Sequence, residues 1–381
     1  MKRSTVLSVL GLVLVTSLLL MSCAQQAVAP ATPTPSTKPA EQQTAAPGPA
    51  AVPTPAHVAP TEPVKPVELR LYYTSVPGTS FDTVACTGLP DRIAKATNGK
   101  IKVILMPDLV KPADAFQALQ DRRVDAMWFT AINYTSTYPW IGIAAVPGFF
   151  ESEEQYAKAQ RDTGFFKQVN DWTMSTFNAR TIADTYTLSQ VMYSKRPLSK
   201  IGDFKGLKMR TANAEQAALM TELGAKPTTV AWAELYMGLQ SGVVDGAITG
   251  LDSGYGASFF EVVDYVTDWP NFRILNPRYF SINEDYWKSL PADVQKILEM
   301  EISQISADQI KGLKAEYDAV VKKYQGKGTT VTIVNDAAEI EKGRPAVLKV
   351  GNEWITRAKG KGYQFPADLV KYLQDKGYTV N

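Results

Sequence analysis

Between Ala24 and Pro66 the chain carries eleven prolines in 43 residues, set among Ala, Thr and Gln, and not one Phe, Trp, Tyr, Leu, Ile or Met. Such a stretch cannot bury enough apolar surface to offset its ordering entropy, so it reads as an extended, semi-rigid tether. A fold can only begin near Val67, which leaves about 315 residues to Asn381. One hydrophobic core rarely serves so many, and two lobes are expected.

The tether also removes chemistry. Its His57 is the only histidine of the chain, so the folded part has no Ser-His-Asp or Cys-His arrangement, no HExxH zinc site and no imidazole base. Cys86 is the one cysteine beyond Cys23; with no histidine to activate it, it reads as a packed helix residue. The formal charge of +2, without any Lys/Arg block interleaved with aromatics, argues against a nucleic-acid partner. No carboxylate pair, nucleophile with base, or phosphate loop stands out, so an enzyme is the weakest reading.

Ahead of the tether, Lys2 and Arg3 precede an apolar run from Val6 to Met21. Sixteen residues are too few for a bilayer span and suit the h-region of a secretory signal. The order Leu20-Met21-Ser22-Cys23 resembles a bacterial lipobox, in which cleavage precedes the cysteine and its thiol is acylated. The implied layout is a signal peptide over 1–22 and a lipidated Cys23 with its tether over 23–66. An uncleaved anchor is the alternative, and both place the rest of the chain outside the cytoplasm.

From Val67 short strands and helices alternate. VELRLYYT is rich in β-branched and aromatic residues and leads to the turn-prone SVPGTS. FDTVACTGLPDRIAKATNG predicts a helix closed by Asn98-Gly99, KIKVILMP a second strand, ADAFQALQDRRV a helix with Phe116 and Leu119 on one face, and DAMWFTA a third strand. This order is that of an open α/β sheet, whose ligands bind at the carboxyl ends of the strands. Asp184 to Ser194 is long enough for a strand crossing between lobes. Leu207 to Arg210 reads as a short strand, Asn213 as the cap of a following helix, Ala233 to Ser241 as another helix, and Val243 to Ile248 as a turn into a strand. From Pro291 to about Tyr324 a helical pattern runs far enough to lie along more than one lobe.

Four ordered blocks, ALQDRRVDAMWF (Ala118 to Phe129), FKGLKMR (Phe204 to Arg210), ELYMGLQSGVVDG (Glu234 to Gly246) and SINEDYWKSLPADVQKIL (Ser281 to Leu298), resemble the extracytoplasmic solute receptors of tripartite ATP-independent periplasmic (TRAP) transporters, the DctP family. The resemblance implies a two-lobed α/β fold of the periplasmic-binding-protein kind, with crossing interlobe strands and a long helix. It further implies closure on a small organic acid, which is handed to the small and large membrane subunits of a permease. Lobe 1 is expected over 67–187 and 276–322, and lobe 2 over 188–275 and 323–381. A sensor or scaffold of the same fold, without a permease, is the alternative function.

Arg210 is the leading site residue. A guanidinium at a strand end in an interlobe cleft offers a fork of donors that a carboxylate accepts in bidentate fashion; on its own it could equally be a solvated strand-edge charge. The resemblance favours the first role, because the family's carboxylate-binding arginine occupies this place in GLKxR. Trp128, Phe129 and Asn133 follow a strand end, Tyr73 and Ser75 end the first strand, and Trp232 and Thr249 belong to the second lobe; all are candidate ligand contacts, weighed against plain packing. Asp245 reads as a hinge or turn anchor and Gly246 as a tight backbone position. Ser189 and Gln190 stand where sialic acid-binding members look to have a second arginine, so a monocarboxylate is expected. No cofactor is implied, although a cation could bridge to the ligand if Asp252 or Glu234 faced the pocket.

Overall fold

The computed structural model describes residues 66–380, all within one unit, Thr61–Asn381. The leader, Cys23 and the tether up to Lys65 lie outside the described residues. Eleven strands form two sheets, and each sheet carries the strands of one lobe.

In the first sheet the order is β2 (Ile101–Pro107), β1 (Val67–Tyr73), β3 (Ala126–Thr130), β10 (Asn276–Asn283) and β4 (Ala179–Thr187). β1 runs parallel to β2 and β3, whereas β10 is antiparallel to β3 and β4. Alternation decides which side chains go where: Leu69, Leu71 and Tyr73 face one core and Tyr72 the other. β3, buried at every position, is central, as a continuous apolar strand should be.

The second sheet has the order β11 (Thr330–Ile333), β9 (Tyr265–Asp268), β5 (Gln190–Ser194), β8 (Gly246–Gly250), β6 (Lys208–Arg210) and β7 (Lys226–Thr228). The expected crossing strand over Asp184 to Ser194 is two strands, β4 and β5, broken at Leu188 and Ser189 where the chain changes sheets. It returns between β9 and β10. The predicted helix after the first loop is also divided: a π-helical turn, Phe81–Thr87, precedes the helix Leu89–Ala96. Gly88 and Pro90 part them, since proline has no amide proton and is best tolerated in the first turn of a helix. Asn98 and Gly99 close that helix with positive φ, as their order suggested.

The long helix, Ala292–Gly326, buries Val294, Leu298, Ile302, Ile305, Gln309 and Leu313, a stripe at three- and four-residue spacing. At 1.5 Å per residue its 35 residues span roughly 50 Å, enough to pack on β4 and then on the helix Leu251–Gly256 and β11 of the other sheet. The helix Ala337–Gly360 reaches elements of both lobes: Trp354 donates to the Pro139 carbonyl at 3.0 Å, and Arg357 pairs with Glu215.

Candidate functional site

The carboxyl ends of the two sheets approach one another. The loop after β1 lies so close to the end of the helix Leu251–Gly256 that a Cβ on Gly256 would collide with the Pro77 carbonyl, and Gly78 makes the turn at φ +82°. Only glycine allows that approach. Ser80, at the end of the loop, donates through its amide and hydroxyl to Glu316 of the long helix, at 2.9 and 2.5 Å.

On the lobe 2 side the edge carries Arg210. β6 is held by Asp245, whose carboxylate accepts from the Lys208 amide at 2.8 Å, and by Gly246, where a Cβ would meet the Tyr193 carbonyl at 2.5 Å and Met209 Sδ at 2.7 Å. Asp245 is thus a turn anchor. Beyond them Arg210 is only 7 % exposed, so it is not a solvated strand-edge charge. Its Nε donates to the Val230 carbonyl at 3.1 Å and its Nη1 to the Ile248 carbonyl at 3.4 Å, and no carboxylate pairs with it among the described residues. Burial alone lowers its pKa to about 10, so it stays charged near neutrality. A buried guanidinium satisfied only by carbonyl dipoles lacks the counter-charge that makes such burial tolerable. Thr249 follows Ile248 on β8, and Trp232 follows Val230. Trp232 is 38 % exposed and rests on Phe259, with ring centroids 5.8 Å apart.

The lobe 1 residues fare differently. Trp128 and Phe129 are corrected from ligand walls to core: Trp128 packs on Phe81 and Phe280 and donates to the Ala85 carbonyl, while Phe129, on the opposite face of β3, packs on Phe116, Tyr134 and Tyr279. The sheet leaves neither ring a free face, because β3 is covered on both sides. Tyr73 is buried edge-on against Phe81, and burial pushes its hydroxyl up to about 12. The Ser75 hydroxyl donates to Asp82 and its amide to Asp108, so it organises its own loop. Asn133 is exposed on the turn Ala131–Tyr134 and lines a cavity of about 460 Å³. Ala212, Asn213 and Glu215, just past Arg210, form the facing wall. Cys86 is enclosed, and burial raises its thiol pKa, as a packed residue requires.

One group at this junction escaped the sequence reading, and another is placed in a setting it did not foresee. Arg278 of β10 is 4 % exposed, lies 4.0 Å above the Phe81 ring and donates from Nη1 to the Thr74 carbonyl at 3.1 Å, while its Nε is enclosed without a partner. Burial lowers its pKa, and no carboxylate pairs with it among the described residues. The signal for it was faint: one arginine inside PRYFSI, a run otherwise suited to a core. Asp252, weighed only as a metal contact, is 2 % exposed and accepts from the Leu188 amide at 3.3 Å, the Ser253 amide at 2.6 Å and the Ser253 hydroxyl at 3.1 Å. Burial, with the Glu316 charge added, pushes its pKa up to about 7. Glu234 is exposed, and among the described residues no group of three His, Cys, Asp or Glu side chains is placed to hold a metal ion.

A family model described as DctP, bacterial extracellular solute-binding protein, family 7, matches residues 75–353. The sialic acid-binding periplasmic protein SiaP of Vibrio cholerae is 26% identical over 247 residues, 64% of this chain and 76% of that protein. A solute-binding protein of Roseobacter denitrificans is 29% identical over 277 residues, covering 71% and 83% of the two chains. Among solved structures, DctP7 of Bordetella pertussis, an extracytoplasmic solute receptor binding pyroglutamic acid, superposes with a TM-score of 0.71 at 17% identity, over 81% of this chain and 99% of that one.

Proposed function

The chain belongs to the bacterial extracellular solute-binding proteins of family 7, the DctP family, and from that premise we propose that it captures a small organic acid outside the cytoplasm and passes it to the small and large membrane subunits of a TRAP-type permease. Lobe 1 (67–187 and 276–322) and lobe 2 (188–275 and 323–381) close on the solute, and the changes of sheet at Leu188–Ser189 and between β9 and β10 support that division.

One observation carries the reading: Arg210 is buried at the carboxyl end of β6 with only carbonyl partners among the described residues. A carboxylate arriving there gains a charge-assisted, potentially bidentate pair in surroundings that screen poorly, and supplies the missing counter-charge. We assign Trp232 and Thr249, close in sequence to the two carbonyl partners of Arg210, and Asn133, across a cavity from Ala212 and Asn213, as further contacts of the solute. Ser189 and Gln190 add no second cation beside it, so the lobe 2 side holds one carboxylate. That sialic acid and pyroglutamic acid, the ligands named for two relatives, are both carboxylic acids agrees with this.

Upstream, Cys23 is acylated and holds the receptor on the outer face of the cytoplasmic membrane, the tether giving it reach to the permease. Native mass spectrometry of protein purified without refolding, followed by identification of the released molecule, tests the receptor reading; a co-purified solute without a carboxylate overturns it. Lipid labelling tests the anchor, and label that persists in Cys23→Ser removes it.

A further inference from the structure

Arg210 of the second sheet accounts for one end of an acid, and the first sheet carries a second buried guanidinium, Arg278, with no carboxylate partner among the described residues. In register, Arg278 lies opposite Thr130 on β3 and Thr185 on β4. Residues directly opposed across antiparallel strands project from the same face, so Thr130, Arg278 and Thr185 form one polar row near the carboxyl ends of β3 and β4. All three are buried, and both Arg278 Nε and Thr185 Oγ1 are enclosed without a hydrogen-bond partner. Two orphaned polar groups side by side in a folded interior are costly, because each loses its water and gains nothing.

The surroundings explain how Arg278 is held but not what it is for. The Phe81 ring and the Thr74 carbonyl fix the guanidinium plane. The acids whose fields reach it, Asp252 and Asp82, are engaged elsewhere: Asp252 by Leu188 and Ser253, Asp82 by the Ser75 hydroxyl. Ser189 and Gln190 supply no second cation beside Arg210, as their residue types imply. Ser189 donates its hydroxyl to Glu153 at 2.6 Å, and Gln190 accepts from Gln216. The cation instead comes from β10, in the other sheet.

Building on the Arg210 reading, we infer that Arg278 and Thr185 bind a second acceptor group of the same ligand, a carboxylate or carbonyl oxygen at the end away from Arg210. The preferred solutes are thus acids with acceptors at both ends rather than alkyl monocarboxylates. Each lobe then holds one end, and closure is favoured only by a molecule that satisfies both, since a ligand shifts an equilibrium only by its differential affinity for the two states.

The test is calorimetry on the full chain with two series of matched length: propionate to hexanoate, and malonate to adipate together with the corresponding terminal oxo acids. Wild type should bind at least one two-ended acid about tenfold or more tightly than its matched alkyl acid. Arg278→Gln should weaken that acid by about thirtyfold and leave alkyl acids within about threefold; Thr185→Val should do the same to a smaller degree. Arg210→Gln should weaken both series alike. An equal loss in both series for Arg278→Gln marks a structural role and overturns the inference, as does wild-type preference for the alkyl series. If Arg278→Gln does not fold, by circular dichroism, Thr185→Val decides on the same ratio. Full affinity in Arg210→Gln removes the Arg210 seat while the Arg278 ratio is still read on its own, and a wild type that binds no acid of either series ends both.

Discussion

The flanks of the first sheet and the cleft between the sheets use the same side chain in opposite ways. On the flanks three buried acids have their arginines: Asp125 takes Arg70 and Arg122, Asp184 takes Arg161, and Glu284 takes Arg180. At the carboxyl ends of the sheets, among the described residues, Arg210 and Arg278 have no acid and Asp252 has no arginine. Neutralising buried charge is within this fold's means, so its omission at the cleft marks where charge is left for something else to meet.

The sharpest way to break that contrast is to remove an acid from the flank. Asp184 accepts from Gln160 and Arg161 at 2.5 Å, from Tyr186 and from Ser306 at 3.3 Å. Asp184→Ala strands several of these groups and should cost about 3–5 kcal/mol of stability. Ligand affinity, measured below the lowered melting temperature, should be unchanged. A large loss of affinity without a loss of stability would erase the distinction between the regions.

The converse belongs to Arg210→Ala. It should cost about 2–5 kcal/mol of binding, as removing one partner of a buried charge pair does. The melting temperature of the free protein should hold or rise, because an uncompensated charge has gone. Arg210→Lys keeps the charge but not the planar fork and should still weaken binding in a calorimetric titration.

Acids on the two sides should also titrate in opposite senses. Asp252, raised to about 7 by burial, favours the fold while protonated. Its contribution is complete below about pH 4, where the unfolded chain is protonated too, and is lost as pH rises to about 7, a change on the order of 4 kcal/mol. Burial raises the Glu284 pKa as well, but the Arg180 pair overrides it and the net shift is downward, so its contribution is lost as pH falls. Thermal melts from pH 4.5 to 7.5 should flatten in Asp252→Asn, and an unchanged slope would place the titration elsewhere.

At the small end, exposed pairs such as Lys314 with Asp318, one helical turn apart, should be worth about 0.3–0.5 kcal/mol, and Lys314→Ala should change melting by little and binding not at all. Deleting Ala24 to Pro66 should leave affinity untouched, since the tether has no means of building a core.

What the chain determines by itself is its alternation of strand and helix, the start of the fold, the exclusion of histidine chemistry and the place of Arg210 at a strand end. These are local properties: periodicity, caps and residue types suffice, and Asn213, predicted as a cap, does accept from the Gln216 amide at 2.9 Å. The surroundings of a side chain are not local. Trp128 and Phe129 look like pocket aromatics until both faces of β3 are seen to be covered, and Arg278 looks like any arginine until β10 is inserted between β3 and β4, some 90 to 150 residues away in sequence. Strand order is fixed by long-range pairing that no short stretch encodes, and it alone decided which charges would be buried beside a partner and which without one.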